Sequence, residues 1–135
     1  MATVQWSDTL SVNIPEIDLQ HRQLINLMAE LEKALETGAD KEIIGRVIRE
    51  LNTYVREHFS EEERWMTRYE FPGLKGHAAQ HEKFVETLLH FELDYLADRK
   101  ELSAELLAFL MSWFTEHILG FDQHYAHFFL EKGYV

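Results

Sequence analysis

Apolar residues recur along this chain at spacings of three and four, the pattern of helices that bury one face. Four such runs can be read. Ile17, His21, Leu24, Met28, Leu31 and Leu35 mark a helix over about 17–37, and Gly38 suits the position just past its end. Asp40 is a good N-cap for a second helix over about 41–69. That helix carries Ile44, Val47, Ile48, Leu51, Val55, His58, Phe59, Glu62, Trp65, Met66 and Tyr69, and Pro72-Gly73 stops it. His77, His81, Phe84, Leu88, Phe91 and Tyr95 mark a third over about 77–97, ending at the charged run Asp98-Arg99-Lys100-Glu101. Leu106, Leu110, Trp113, His117, Phe121 and Phe128 mark a fourth over about 103–131. Residues 1–16 read as an N-terminal arm whose Val4, Trp6, Leu10, Val12 and Ile14 can pack on the helices. Short connections make consecutive helices antiparallel neighbours. The expectation is an all-α fold, an up-down-up-down antiparallel four-helix bundle with an N-terminal arm, in one domain over 1–135.

Composition narrows the class. An apolar fraction of 46% with only two prolines and six glycines fits long helices. A net charge of −11, with no basic block, makes nucleic acid and anionic membranes poor partners. The absence of cysteine excludes disulfides, thiolate zinc sites, iron–sulfur clusters and cysteine nucleophiles, and agrees with a reducing compartment. The first residues show no signal-peptide pattern, and Leu106 to Phe114 is too short to span a bilayer. A soluble, cytoplasmic, monomeric chain is expected.

The informative residues break the apolar stripes from within. His21, His58, Glu62, His77, His81 and His117 stand where a bundle places leucine or isoleucine. Each unpaired buried polar group costs about 1–3 kcal/mol, so a domain stable by about 5–15 kcal/mol cannot carry several. Their depths also agree. At roughly 1.5 Å per residue, all four helices place a histidine about 21–30 Å from the same end of the bundle. His58 and Glu62 are four residues apart, as are His77 and His81, so each pair shares a helix face. Neutral imidazole and carboxylate are ligands for first-row transition metals.

These residues form a pattern that resembles the hemerythrin family over nearly the whole chain. The matching segments are Ile17-Asp18-Leu19-Gln20-His21, His58-Phe59-Ser60-Glu61-Glu62, His77-Ala78-Ala79-Gln80-His81 and His117-Ile118-Leu119-Gly120-Phe121-Asp122, with Trp6 and Tyr125 also fitting. Carried over residue by residue, the resemblance implies that His77, His81 and His117 hold one non-haem iron and His21 and His58 the other. Glu62 and Asp122 would bridge them beside a bridging oxo or hydroxo group. That ligand set leaves one coordination position open, on the iron with two histidines, and the resemblance implies that dioxygen binds there. Leu24, Phe59, Trp113 and Ile118 flank the ligands and would line the oxygen pocket, a role compatible with plain core packing.

The function this implies is reversible dioxygen binding, for storage or for delivery to an oxygen-consuming enzyme. An oxygen or redox sensor module, and a di-iron enzyme of peroxidase or nitric oxide-consuming type, are the alternatives. Ferritin-like oxidising enzymes carry Glu-x-x-His motifs, and no glutamate of this sequence has a histidine three residues later. Phe121, beside Asp122, is bulky and is expected to narrow the pocket, whereas His90, His124 and His127 are given no ligand role. Of Glu61, Glu62 and Glu63, only Glu62 is singled out; the others read as a solvated face. His117 and Asp122 are five residues apart, about 140° around an ideal helix. A π-bulge at Gly120 would align them; a regular helix with Asp122 reaching inward from the stripe's edge is the other solution.

Overall fold

The computed structural model describes residues 5–38, 41–99 and 101–135; Val4 of the arm, the cap at Asp40 and Lys100 lie outside the described residues. A short 3-10 turn, Asp8–Leu10, precedes α1 (Pro15–Glu36), α2 (Lys41–Arg68) and α3 (Leu74–Leu96). The fourth rod is composite: α4 (Leu102–Trp113), a π-helical stretch over Phe114–Phe121, and α5 (Asp122–Glu131). Both joints keep right-handed helical dihedrals, so the rod is continuous.

Local sequence explains the ends. Pro15 occupies the first turn of α1, where its missing N–H is not needed. Asp18 accepts hydrogen bonds from the Val12 N–H at 2.9 Å and the Ser11 hydroxyl at 2.5 Å. These fix the arm against the start of α1, where Val12 and Ile14 are fully buried. Gly38, at φ 86°, takes the left-handed conformation just after the C-cap Thr37. The third rod starts one turn earlier than its histidine pattern indicates, at Leu74 directly after Gly73.

α1 packs on α2 and α4, and α3 packs on α2 and α4, which closes an antiparallel four-helix bundle. Among the described residues, no helix is long and apolar enough to cross a membrane. The π stretch sets the phase of the last rod. Its wide turn takes up about one extra residue, so the buried face runs Leu110, Trp113, His117 and Ile118, and then Asp122, Tyr125, Ala126 and Phe129. A regular period puts Phe121 and Phe128 in that stripe. Instead Phe121 is 38% exposed and Phe128 only half-buried. Phe121 therefore stands at the rim, its ring 5.9 Å from that of His117, and does not fill the interior.

Two apolar clusters make the core. The larger joins Leu24, Met28, Leu51, Val55, Phe59, Phe84, Leu106, Trp113, Phe114 and Ile118. The smaller joins Val12, Ile14, Ile17, Met66, Tyr125 and Phe129. Along each rod the polar residues that break the stripes fall between these two clusters, in a layer with hydrocarbon above and below.

Candidate metal centre

α1 supplies His21 to this layer, α2 His58 and Glu62, α3 His77 and His81, and the fourth rod His117 and Asp122. All seven are at most 2% exposed. Helical spacing aligns the two pairs on α2 and α3, and the π turn aligns His117 with Asp122.

The two carboxylates are shared. Asp122 Oδ1 lies 2.9 Å from His77 Nε2 and 3.0 Å from His117 Nε2, while its Oδ2 lies 3.1 Å from His21 Nε2. Glu62 Oε1 lies 3.0 Å from His81 Nε2 and 3.3 Å from His58 Nε2. The ligand atoms fall into two clusters, each within 4.8 Å: Glu62 with His77, His81 and His117, and His21 and His58 with Glu62 and Asp122. Three imidazoles thus gather on one side and two on the other, with a carboxylate oxygen facing each.

Hydrogen bonds and ring packing fix these side chains. The Nδ1–H of His58 donates to Gln20 Oε1, and that of His81 to Glu63 Oε2, each at 2.7 Å. The Tyr125 hydroxyl donates to Glu62 Oε2 at 2.5 Å. Burial, with Glu62 and Asp122 nearby, pushes the Tyr125 phenol well above its ordinary range, so it remains a donor. Phe59 stacks on His81 with centroids 3.8 Å apart, Trp113 on His117 at 4.0 Å, and Tyr54 on His58 at 5.0 Å.

The donor set suits a cation. Burial drives His58 down to about 3, so its ring is neutral. With Nδ1–H committed to Gln20, its Nε2 is a bare lone pair facing Glu62 Oε1. Burial opposes ionisation of Glu62, but hydrogen-bonding contacts with His117, His77 and His81 outweigh it and hold the carboxyl well below its usual range. Burial likewise works against a proton on His77, yet contacts with Asp122 and Glu62 raise it to about 9. Both ring nitrogens of His21 and of His117, Nε2 of His77 and both oxygens of Asp122 have no hydrogen-bond partner among the described residues. They stand at contact distance without donor geometry, converging on shared space between them. Lone pairs converging on a dry interior are what metal ions satisfy, displacing protons as they bind.

Leu24, Phe59, Trp113 and Ile118 are all buried in the larger cluster next to this layer. Phe59 approaches both sides, since its ring also lies 5.9 Å from that of His58. Four neighbours escape a reading of the sequence. Gln20 and Glu63 sit next in sequence to His21 and Glu62, about 100° away around their helices, where a periodic pattern indicates surface. Phe114, buried one turn before His117, falls outside the expected pocket lining. Tyr54, four residues before His58, did have a signal in its spacing; its hydroxyl is buried with no hydrogen-bond partner among the described residues.

Comparison with known proteins gives consistent relatives. Residues 12–128 match the family described as the hemerythrin HHE cation binding domain. A bacteriohemerythrin of Stenotrophomonas maltophilia is 35% identical over 93% of this chain and 81% of its own. A myohemerythrin of Riftia pachyptila is 30% identical over 89% of this chain and 88% of its own. A crystal structure of a hemerythrin point mutant superposes with a TM-score of 0.83 at 26% identity, covering 93% of this chain and 96% of that one.

Proposed function

The chain belongs to the hemerythrin family, and from that we propose that it binds dioxygen reversibly at two non-haem irons held in the buried layer. His77, His81 and His117 would hold one iron and His21 and His58 the other, with Glu62 and Asp122 shared between them. The observation that carries this reading is the division of five imidazoles into three and two around shared, water-excluded carboxylates. When bound, the irons supply the electrons for reversible capture of dioxygen.

The rest is work for the protein's own groups. Asp122 presents one oxygen toward either side, and Glu62 sets Oε1 between the two sides while the Tyr125 hydroxyl holds its Oε2. Gln20 and Glu63 hold the His58 and His81 rings in the tautomer that offers Nε2. Leu24, Phe59, Trp113 and Ile118 pack against the layer and keep water away from it. The imidazole-rich ligand set favours a carrier, for storage or for supply of an oxygen-consuming enzyme in the cytoplasm, over a turnover enzyme.

The test is iron content and optical spectra of purified protein. Two irons per chain are expected, with charge-transfer bands that bleach on anaerobic reduction, return in air and fade again when oxygen is pumped off. One metal per chain, or zinc alone after growth in ample iron, overturns the two-iron assignment. Bands that return in air but never fade under vacuum overturn the carrier role.

Glu63 gives a finer test of the ligand geometry. Glu63→Ala removes the acceptor that orients His81, and metal affinity should fall by about 10–100-fold. The side chain is 38% exposed, so thermal stability of the metal-free protein should be unchanged. Competition with a chelator measures the affinity; a variant with unaltered affinity means His81 is positioned by ring stacking on Phe59 alone.

A further inference from the structure

Two buried tyrosines stand beside the ligand layer, and only one has its hydroxyl engaged. The Tyr125 hydroxyl donates to Glu62 Oε2 at 2.5 Å. The Tyr54 hydroxyl is sealed from solvent and has no hydrogen-bond partner among the described residues. A buried polar group without a partner gives up its hydration with no bond to compensate, which destabilises the fold. Phenylalanine would supply the same ring without that loss.

The place of this hydroxyl indicates its use. Tyr54, His58 and Glu62 follow one another at intervals of four along α2, so they share one stripe of the helix. The Tyr54 ring stacks on that of His58, with centroids 5.0 Å apart and planes 17° from parallel. It therefore belongs to the two-histidine side. One edge of the ring borders a groove lined by Gln23, Leu27 and Glu57, but no solvent reaches the oxygen. The oxygen lies toward the layer. Burial, and then the charges of Glu62 and Asp122, push the Tyr54 phenol well above its ordinary range, and such charges act most strongly at short range. Hydroxyl dipoles orient in the field of their surroundings, so the two carboxylates turn the hydrogen of Tyr54 inward. What this donor lacks is an acceptor.

We propose that the Tyr54 hydroxyl is the hydrogen-bond donor for a small anionic ligand bound on the His21–His58 side, and that it sets how tightly that side keeps its ligand. The proposal rests on the two-iron reading of the layer. Dioxygen takes on negative charge as it accepts electrons, and a hydrogen bond to an ionised acceptor is about twice as strong as one to a neutral acceptor. In a dry interior the difference grows. Tyr54 thus favours a ligand that has gained charge over one that has not, and it keeps its own proton throughout.

Azide, a small and stable anion, is the probe. In the oxidised, iron-loaded protein, Tyr54→Phe should raise the azide Kd by about tenfold or more, the effect of losing a hydrogen bond to a charged group, while two irons per chain are retained. The vibrational band of bound azide should shift in heavy water for the parent and not for the variant, a difference that a packing role of the ring does not produce. In the metal-free protein, Tyr54→Phe should melt a few degrees higher, because the idle hydroxyl is gone and the ring stays. Equal azide affinity in two proteins that both hold two irons, or a parental band indifferent to heavy water, overturns the role of Tyr54 and leaves the two-iron reading standing. A metal-free variant that melts lower than the parent shows a hydroxyl already bonded, and overturns that role as well. A parent that loads no iron pair overturns the two-iron reading and this proposal with it.

Discussion

Inserting one alanine directly after Leu119 is expected to cost the protein both its metal site and most of its stability, although that side chain is 42% exposed. Leu119 lies within the π stretch Phe114–Phe121. The wide turn already takes up one extra residue, so a second rotates every later residue by about 100°. Asp122, Tyr125 and Phe129, all fully buried, would turn away from their places in the core, and Phe128 and His124 would turn toward it. Losing a buried aromatic costs about 3–5 kcal/mol. Two such losses are comparable with a total of about 5–15 kcal/mol. The insertion variant should show a melting temperature lower by more than about 15 °C, or no cooperative transition, and should bind no iron pair. Leu119→Ala leaves the phase intact and should lie within about 0.5 kcal/mol of the parent. Melting followed by circular dichroism, with metal analysis, decides the matter. An insertion variant with parental melting and metal content would mean that the phase set by the wide turn is dispensable.

The second large effect is expected at the shared carboxylates. Glu62→Ala and Asp122→Ala each remove a group that faces both ligand clusters, so each should release both irons together and not one. Metal content should fall from two per chain to well below one. Glu62→Ala should be the worse for the metal-free fold as well. It strips the acceptor from the Tyr125 hydroxyl, and a buried unpaired hydroxyl costs about 1–3 kcal/mol. His21→Ala should by contrast loosen mainly the two-histidine side, and exposed His90→Ala should leave spectrum and metal content unchanged. Iron analysis of the four variants side by side separates the outcomes. Retention of one full iron in Glu62→Ala would show that Glu62 serves a single metal.

Much of this protein follows from the chain alone, because helices in a short-looped bundle obey local rules. Apolar spacing defines the helices, turn residues such as Gly38 and Gly73 limit them, and fourfold spacing puts His58 with Glu62 and His77 with His81. Equal depth along antiparallel rods then collects all five histidines in one layer. These facts need only helical rise and pitch, which every residue carries with it. Where a property depends on the neighbouring rod, local rules fall silent. The π turn could be suspected from the five-residue step between His117 and Asp122, but its effect on the burial of Phe128 and Phe129 required the bundle, since only packing selects a wide turn over a regular one. Gln20 and Glu63 look like surface residues on their own helices; they become ring partners because His58 and His81 arrive from adjacent rods. Leu89 and Leu93 stand exposed on α3 while Leu88 is buried, because burial is decided by what packs opposite a side chain and not by its hydrophobicity.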